Sequence, residues 1–244
     1  MTITIRRASS LGETKLGDAA LRCHFSFRDA LDGRHVHDGR LRVVNAGVLP
    51  EGGAFALGPE ENIDILTWCG HGDLSATVEG FEPQTLEAGS LHAVSTASGV
   101  SKLVWASEAG ATFLQFWFLP DLEGGEPTQE TRPAFPALED GAFRVLASGF
   151  PEDNSEDGEI VRDGAPVPLR GNARLLHADI RAGEGAAYGT RPDRDLYLVV
   201  VAGTVSLGAT ALSAGDAAAI AGVTEIIVMA TATACVFLTD TSAT

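Results

Sequence analysis

The stretch TFLQFWFLP, residues 112–120, decides the fold class of this chain. Its apolar side chains occupy consecutive positions instead of alternate ones, which is the pattern of a strand buried on both faces. Gln115 is its one polar intrusion, and Pro120 ends it because proline has no N–H for a strand ladder. We therefore expect a fold rich in β-strands around this stretch.

Similar runs of β-branched and aromatic residues, bounded by Gly, Pro, Asp or Asn, recur on both sides of it. Helical periodicity is weak throughout, so the chain is predicted to be an all-β protein. The strands are predicted near residues 41–49, 63–69, 74–80, 91–96, 101–107, 142–148, 158–162, 173–183, 194–203, 204–208, 216–222, 225–231 and 234–240.

The two halves of the chain repeat one order of elements. Asp64 is followed eight positions later by Gly72, and Asp195 is followed eight positions later by Gly203. An L-x-A-G turn comes next in each half, as LEAGS and as LSAGD, and then a further strand. Glycine suits such turns because they often need a positive φ. The repeat predicts two copies of one small β-barrel or sandwich.

The length of 244 residues suits this division into two domains. Residues 121–141 are rich in proline and acidic side chains, and they are expected to form an extended surface connector. The predicted organisation is an N-terminal domain at 1–120, a linker at 121–141 and a C-terminal domain at 142–244.

The net charge of −16 argues against nucleic-acid binding, which needs a basic face, and weakly disfavours anionic membranes. No apolar run reaches the length of about 18 residues that a transmembrane helix needs, and no secretory signal is apparent. Cys23, Cys69 and Cys235 are few, widely spaced and without a CxxC motif, so a reducing cytoplasm is expected.

Five blocks of the N-terminal half together resemble the pirin family. The resemblance implies a bicupin, an all-β chain with two antiparallel, jelly-roll-like β-barrel cupin domains. In the C-terminal half it depends on the repeat and on the general cupin pattern. The blocks are CHFSFRDALDG (23–33), GRLRVVNAGVLPEGGAF (39–55), IDILTW (63–68), LEAGSLHAVSTASGV (86–100) and ATFLQFWFLP (111–120).

Metal-bearing pirins carry an iron-type site built from a His-x-His pair and a His-x-Glu pair in the N-terminal cupin. The resemblance places these four ligand positions at Gly58, Glu60, Lys102 and Val104. Glu60 is the only typical ligand among them, whereas a transition-metal site usually needs three or four donors. The family metal is therefore expected to be missing, and no cofactor is predicted.

A salt bridge between Glu60 and Lys102 is our hypothesis for what replaces the charge of the metal. Asp64 stands where the family usually has Glu, and its implied role there is structural. His92 follows a turn and opens a strand that lines the barrel in the family, so we expect it either in the core or at a ligand cavity. The candidates for lining a cavity are Glu60, Lys102, His92, Asp64 and Gln115.

The remaining histidines are mostly interpreted as ordinary surface residues. His35 and His37 lie in a Gly- and Asp-rich stretch that is typical of a solvated loop, although a relocated metal site with Asp38 is an alternative. His71 is expected in a turn, and His177 on an exposed strand face. In the second barrel, YGTRPDRD holds Asp193 and two arginines but no histidine, so that barrel is also expected to lack a metal.

Two classes of function remain. The first is a non-enzymatic, pirin-type protein that binds a small molecule or acts through protein contacts, as a monomer or homodimer. The alternative is a quercetinase-like cupin dioxygenase that uses iron or another divalent transition metal. That enzyme would need a site rebuilt from Glu60 together with His92, or with His35 and His37.

Overall fold

The computed structural model describes residues 1–135, 138, 141–153 and 166–242, and it is built almost entirely of β-strands. Two 3₁₀ turns, Ala8–Ser10 and Pro151–Asp153, are its only helices in these ranges, and neither is long or apolar enough to cross a membrane. The strands of the first half are β1 (Thr2–Arg6), β2 (Gly12–Leu16), β3 (Ala19–Cys23), β4 (Leu41–Leu49), β5 (Ala54–Leu57), β6 (Asp64–His71), β7 (Leu74–Val78), β8 (Gln84–Leu86), β9 (Leu91–Ser95), β10 (Leu103–Ala106) and β11 (Ala111–Phe118).

The strands of the second half complete the set. They are β12 (Thr128–Arg132), β13 (Arg144–Ser148), β14 (Val167–Pro168), β15 (Ala173–Ile180), β16 (Gly185–Gly189), β17 (Arg194–Leu207), β18 (Thr210–Ser213), β19 (Ala217–Ala221) and β20 (Glu225–Ser242).

These strands form three sheets. A seven-stranded sheet has the order β12-β9-β6-β11-β4-β3-β2, and a four-stranded sheet has the order β5-β10-β7-β8. The C-terminal half forms one nine-stranded sheet along β1-β19-β17-β20-β15-β13-β14, with β16 and β18 paired to its long central strands. The first two sheets enclose one core, the third folds around another, and a third core lies between the halves.

Strand β11 is buried on both faces, as its sequence predicts. Phe113 and Trp117 point into the core enclosed by the N-terminal sheets, while Phe116 and Phe118 pack into the core between the halves. Gln115 lies between Phe113 and Trp117 on the inward face and is 1% exposed. The continuous apolar pattern of this strand therefore follows from its position between two cores.

The internal repeat is present in three dimensions. Gly72 and Gly203 have φ values of 74° and 77°. A Cβ at Gly72 would lie 2.2 Å from the backbone oxygen of Gly110, and a Cβ at Gly203 would lie 2.1 Å from that of Thr233. The glycines of the two L-x-A-G turns, Gly89 and Gly215, have φ values of 87° and 86°. The matching backbone requirements confirm that both halves are built on one pattern.

Two edge strands do not follow the predicted division of the chain. β12 lies within the predicted linker at 121–141 but pairs with β9 of the N-terminal sheet. β1 pairs with β19 of the C-terminal sheet, so the first residues of the chain complete the last sheet. The domain limits remain a prediction. The composition of residues 121–141 suggested an extended connector, but part of this segment is a strand of the N-terminal sheet.

Two pairs of predicted strands are continuous in the structure. Residues 194–203 and 204–208 form the single strand β17, and 225–231 and 234–240 form β20. Shifts of register at Val200, Ala202 and Thr204 let these long strands bend while they stay paired. The strand predicted at 158–162 lies outside the described residues.

Candidate functional site

The four positions that correspond to the family metal ligands meet at one end of the N-terminal core. Val104 of β10 pairs with Ala56 of β5, and Gly58 follows directly after β5. Gly58 has a φ of 117°, and a Cβ there would lie 2.4 Å from the backbone oxygen of Ser101 and 3.2 Å from the Cα of Lys102. Backbone therefore occupies the space that a histidine at position 58 would need.

Glu60 is the one carboxylate of this set, and it is half-buried. Its backbone exchanges hydrogen bonds of 3.0 Å and 2.9 Å with that of Val100. Partial burial raises the pKa of Glu60, and the positive charge of Arg28 opposes that rise. The donor set of a glycine, a carboxylate, an ammonium and an isopropyl group does not fit an iron-type ion.

The predicted ion pair between Glu60 and Lys102 is wrong. Among the described residues, the Glu60 carboxylate and the Lys102 ammonium do not approach each other within 4.0 Å. Lys102 is exposed, whereas Arg28 is the cation whose charge acts on Glu60. The Arg28 guanidinium also lies 5.7 Å from the centre of the Phe27 ring.

Asp64 lies apart from these residues, at the junction of the two halves. The backbone N–H of Arg170 donates a hydrogen bond of 2.7 Å to its Oδ2 atom. Burial raises the pKa of Asp64, and the hydrogen bond from Arg170 counteracts this effect. Asp64 thus links β6 to the C-terminal half instead of lining a cavity with Glu60.

His92 and Gln115 belong to a polar row that crosses the seven-stranded sheet. Directly paired residues of adjacent strands share one face of a sheet, and the register here runs from His92 through Thr67 and Gln115 to Asn45. Gln115 Nε2 donates a hydrogen bond of 3.1 Å to Thr67 Oγ1. Thr67 and Asn45 were missed because no local pattern shows that strand pairing aligns them with Gln115.

Several polar atoms near this row find no hydrogen-bond partner among the described residues. They are His92 Nδ1, both amide atoms of Asn45, and the indole nitrogens of Trp105 and Trp117. Burial lowers the pKa of His92 to about 4, so its ring is neutral at pH 7. Aromatic side chains pack in the interior of this barrel: the Phe55 ring stacks on Trp105 at 5.2 Å and on Phe113 at 5.0 Å.

The other histidines of the N-terminal half do not assemble a replacement site. His35 lies in a loop, where the charges of Asp32 and Arg6 act on it, and His37 is exposed. One group of three or more potential ligands within 4.8 Å is present among the described residues, and it lies in the C-terminal half. That group contains none of the residues proposed for a rebuilt site, which were Glu60 with His92, or with His35 and His37.

In the second barrel, the segment where a cupin metal pair would fall contributes to an ion-pair network. Arg194 is buried, and it donates hydrogen bonds of 3.2 Å to Asp240 and 3.0 Å to Glu152. Tyr188 donates a further hydrogen bond of 2.7 Å to Asp240, which is fully buried. Asp193 is exposed and takes no part in this network.

A cleft of about 700 Å³ lies between the halves. One row of its wall crosses four strands from Lys15 through Ala20 and Val48 to Thr112. A second row crosses five strands from Glu13 through Arg22, Ala46 and Leu114 to Trp68. Val199 and Val201 of β17 form the facing wall.

Comparison with known proteins places this geometry in a family. A sequence profile described as "Quercetinase C-terminal cupin domain" matches residues 155–241. The chain is 30% identical over 230 residues to a protein of Zymomonas mobilis that is provisionally named a quercetin 2,3-dioxygenase, covering 93% of both chains. It is also 30% identical over 211 residues to the "Pirin-like protein" of Caulobacter vibrioides, covering 86% of this chain and 87% of the relative.

The chain belongs to the pirin family. The crystal structure of the bacterial pirin YhhW of Escherichia coli, in complex with nickel(II), matches the whole chain with a TM-score of 0.87 at 22% identity. This likeness confirms the all-β bicupin fold. The pirin assignment also sharpens the contrast at Gly58, Glu60, Lys102 and Val104, because these residues differ in kind from the ligands that the family pattern requires.

Proposed function

We propose that this pirin-family chain binds a planar aromatic molecule with polar oxygens in the cleft between its halves. In this proposal it acts without the family metal, as a non-enzymatic binding or regulatory protein. The single observation that carries the proposal is the cleft of about 700 Å³, whose walls are apolar and whose rim is charged. A volume of a few hundred to 1,000 Å³ is typical of small-molecule sites.

The walls of the cleft favour an apolar, flat ligand. Val48 is 54% exposed, and Val199, Val201 and Leu114 line the same opening, with Trp68 at one end. Covering this surface would release about 25 cal/mol for each Å² of apolar area removed from water. An indole beside aliphatic walls also suits stacking against a second aromatic ring.

The rim of the cleft favours acidic or phenolic oxygens on that ligand. Lys15 and Arg22 line it, and the salt bridge of 3.4 Å from Arg22 to Glu13 is weak because both side chains are exposed. In a chain with a net charge of −16, a rim with two cations is a local exception. An electron-rich aromatic oxygen is the partner that these donors would recognise.

The N-terminal barrel gives less support to a binding role than the cleft does. The five predicted cavity residues fall in three places: Glu60 and Lys102 at one end, His92 and Gln115 inside, and Asp64 at the junction. The names of the relatives favour the alternative of a metal-dependent dioxygenase. The ligand set weighs against it, since Glu60 alone among the four family positions offers a typical metal ligand.

Quercetin, the flavonol in the name of the Zymomonas mobilis relative, is a suitable probe for the cleft. We expect saturable quenching of tryptophan fluorescence, with the affinity falling at least tenfold in Val48→Asp and in Lys15→Glu. Ile227→Asp is the matched control, because Ile227 is 50% exposed but does not line the cleft. Equal affinities in Val48→Asp and Ile227→Asp, or no saturable binding, would overturn the proposed site.

A second assay tests the non-enzymatic part of the proposal. Purified protein is incubated with quercetin, dioxygen and added Fe(II), Ni(II), Mn(II) or Cu(II), and the loss of flavonol absorbance is followed. We expect the wild type and Glu60→Ala to give the same background rate. Turnover by the wild type that Glu60→Ala abolishes would overturn the metal-free reading, whatever the outcome of the binding test.

A further inference from the structure

Three potential metal ligands meet on the face of the C-terminal sheet that turns toward the N-terminal half, at the border of the core between the halves. His177 and Asp179 are two residues apart on β15, so their side chains point to the same face. Cys235 of β20 is the direct register partner of Asp179. The thiol, imidazole and carboxylate therefore converge because of strand pairing, although Cys235 lies 58 positions from His177 in sequence.

We propose that His177, Asp179 and Cys235 form a binding site for a zinc-type divalent ion, separate from the position of the family metal. Their ligand atoms all lie within 4.8 Å of one another. Cysteine, histidine and aspartate are all zinc ligands, and three protein ligands with one open position are the usual set of an accessible zinc site.

The spacing of the donor atoms fits tetrahedral coordination. His177 Nε2 lies 3.3 Å from Cys235 Sγ and 3.6 Å from Asp179 Oδ1. In a tetrahedral zinc site, bond lengths of about 2.3 Å to sulfur and about 2.0–2.2 Å to nitrogen and oxygen place such donors about 3.6 Å and about 3.4 Å apart. The two observed distances differ from these by only a few tenths of an ångström.

The surroundings hold the ligands and leave a route for the ion. The His177 side chain is 13% exposed, and its ring lies against those of Phe237 at 4.9 Å and Trp68 at 6.3 Å. The Asp179 side chain is 48% exposed, so the group opens to solvent on that side. Rings that fix the orientation of a ligand histidine reduce the entropy lost when the ion binds.

Two charged features modulate the site. Burial raises the pKa of the Cys235 thiol to about 12, and the Asp179 carboxylate adds to this effect. A bound dication would displace the thiol proton, because zinc-type ions bind the thiolate form of cysteine. Burial lowers the pKa of His177, and the charge of Arg144, its register partner on β13, adds to this effect. The same charge is expected to weaken cation binding.

The test uses Co²⁺, which reports on its ligands through its absorption, followed by displacement with Zn²⁺. We expect one equivalent of Co²⁺ to give a thiolate-to-metal charge-transfer band and tetrahedral d–d bands in the wild type. Cys235→Ser should lose the charge-transfer band, and Asp179→Asn should bind at least tenfold more weakly. Arg144→Met should bind more tightly than the wild type.

Cys69→Ser and Glu60→Ala are the controls, since they remove another buried thiol and the carboxylate at the family metal position. Both should keep the cobalt spectrum of the wild type. The proposal fails if the wild type shows no thiolate band, if Cys235→Ser retains it, or if Cys69→Ser loses it. Because Asp179 is exposed, Asp179→Asn should fold normally, and unchanged affinity in that variant would also overturn the site.

Discussion

The Nδ1 atom of His24 lies 3.1 Å from the hydroxyl oxygen of Tyr197, and this buried contact joins the two halves of the molecule. Tyr197 also packs against Phe25 with a distance of 5.0 Å between ring centres. His24 is 1% exposed, and burial, aided by the charge of Arg6, lowers its pKa to about 3. The contact is therefore made by a neutral imidazole at the base of the cleft.

Protonation of His24 should couple stability to pH. Its pKa is about 3 in the folded chain and 6.5 as an ordinary histidine, so below pH 6.5 the unfolded chain binds a proton that the folded chain excludes. Stability from this group is complete above pH 6.5 and is lost as the pH falls towards 3. We expect the wild type to lose about 2 kcal/mol more than His24→Phe between pH 7 and pH 5, measured by urea unfolding. His71→Gln, at an exposed position, is the control, and its free energy of unfolding should change with pH as in the wild type. The same pH dependence in His24→Phe as in the wild type would contradict the prediction.

Removal of the Asp240 carboxylate should destabilise the second barrel strongly. Asp240→Ala would leave Arg194, which is 6% exposed, without its buried partner. The loss of one member of a buried pair typically costs about 3–5 kcal/mol. Asp193→Ala is the control, since Asp193 is exposed, and it should change the free energy of unfolding by less than about 0.5 kcal/mol. Similar costs in both variants would show that the network contributes little.

The polar row of the N-terminal barrel can be probed by two opposed substitutions. Asn45→Leu removes an amide whose two polar atoms have no partner among the described residues, so it should raise stability by about 1 kcal/mol. Gln115→Leu breaks the hydrogen bond to Thr67 and should lower stability by a similar amount. Chemical denaturation of both variants gives the comparison. A larger loss in Asn45→Leu than in Gln115→Leu would mean that a bound molecule or ordered water satisfies the Asn45 amide.

A side chain at position 58 should destabilise the chain instead of rebuilding the metal site. Gly58→Ala would place a Cβ 2.4 Å from the Ser101 oxygen, and we expect a cost of about 2–3 kcal/mol. Gly99→Ala is a matched control, because Gly99 has a φ of 129° close to the 117° of Gly58 but nothing within 4 Å of its Cβ position. The difference between their thermal denaturation midpoints isolates the clash. Equal midpoints would show that the Ser101 backbone yields readily.

The same steric conflict predicts the result of introducing the family ligands at positions 58, 102 and 104 while Glu60 is kept. The triple variant Gly58→His, Lys102→His, Val104→Glu should bind Fe(II) no better than Lys102→His, Val104→Glu without a change at position 58. Isothermal titration with Fe(II) under anaerobic conditions compares the two. Stoichiometric binding that requires His at position 58 would show that the loop can move to admit it.

Local patterns predicted the fold well. The continuous apolar run around Gln115 predicted its strand because burial on two faces admits few polar residues. Gly72 and Gly203 predicted matching turns because a positive φ favours glycine. The sequence predicted β17 and β20 as two strands each. The glycine and alanine residues at which these long strands bend have the sequence pattern of a turn. The extra edge strands escaped notice because edge pairing requires little of a strand's sequence.

The site was harder to predict, because its residues are brought together by pairing between distant strands. The family motif predicted a salt bridge between Glu60 and Lys102. The direction of a side chain after a glycine turn, however, cannot be inferred from the spacing of residues. Val48 belongs to the cleft because strand pairing places it beside Ala20 and Thr112, which line the same wall. His177 and Cys235 become neighbours through the register of β15 with β20, which no local pattern in either strand reveals.

The pairing of β1 with β19 has a consequence for how the chain is made. Thr2–Arg6 are synthesised well before their partner Ala217–Ala221, because most of the sequence separates the two strands. At a synthesis rate of about 5–20 residues per second, β1 remains without its partner strand β19 for roughly 10–40 seconds. During that interval the isoleucines of β1 lack their partner strand, so chaperone capture of this segment of the nascent chain would act on the strand that ultimately completes the C-terminal sheet.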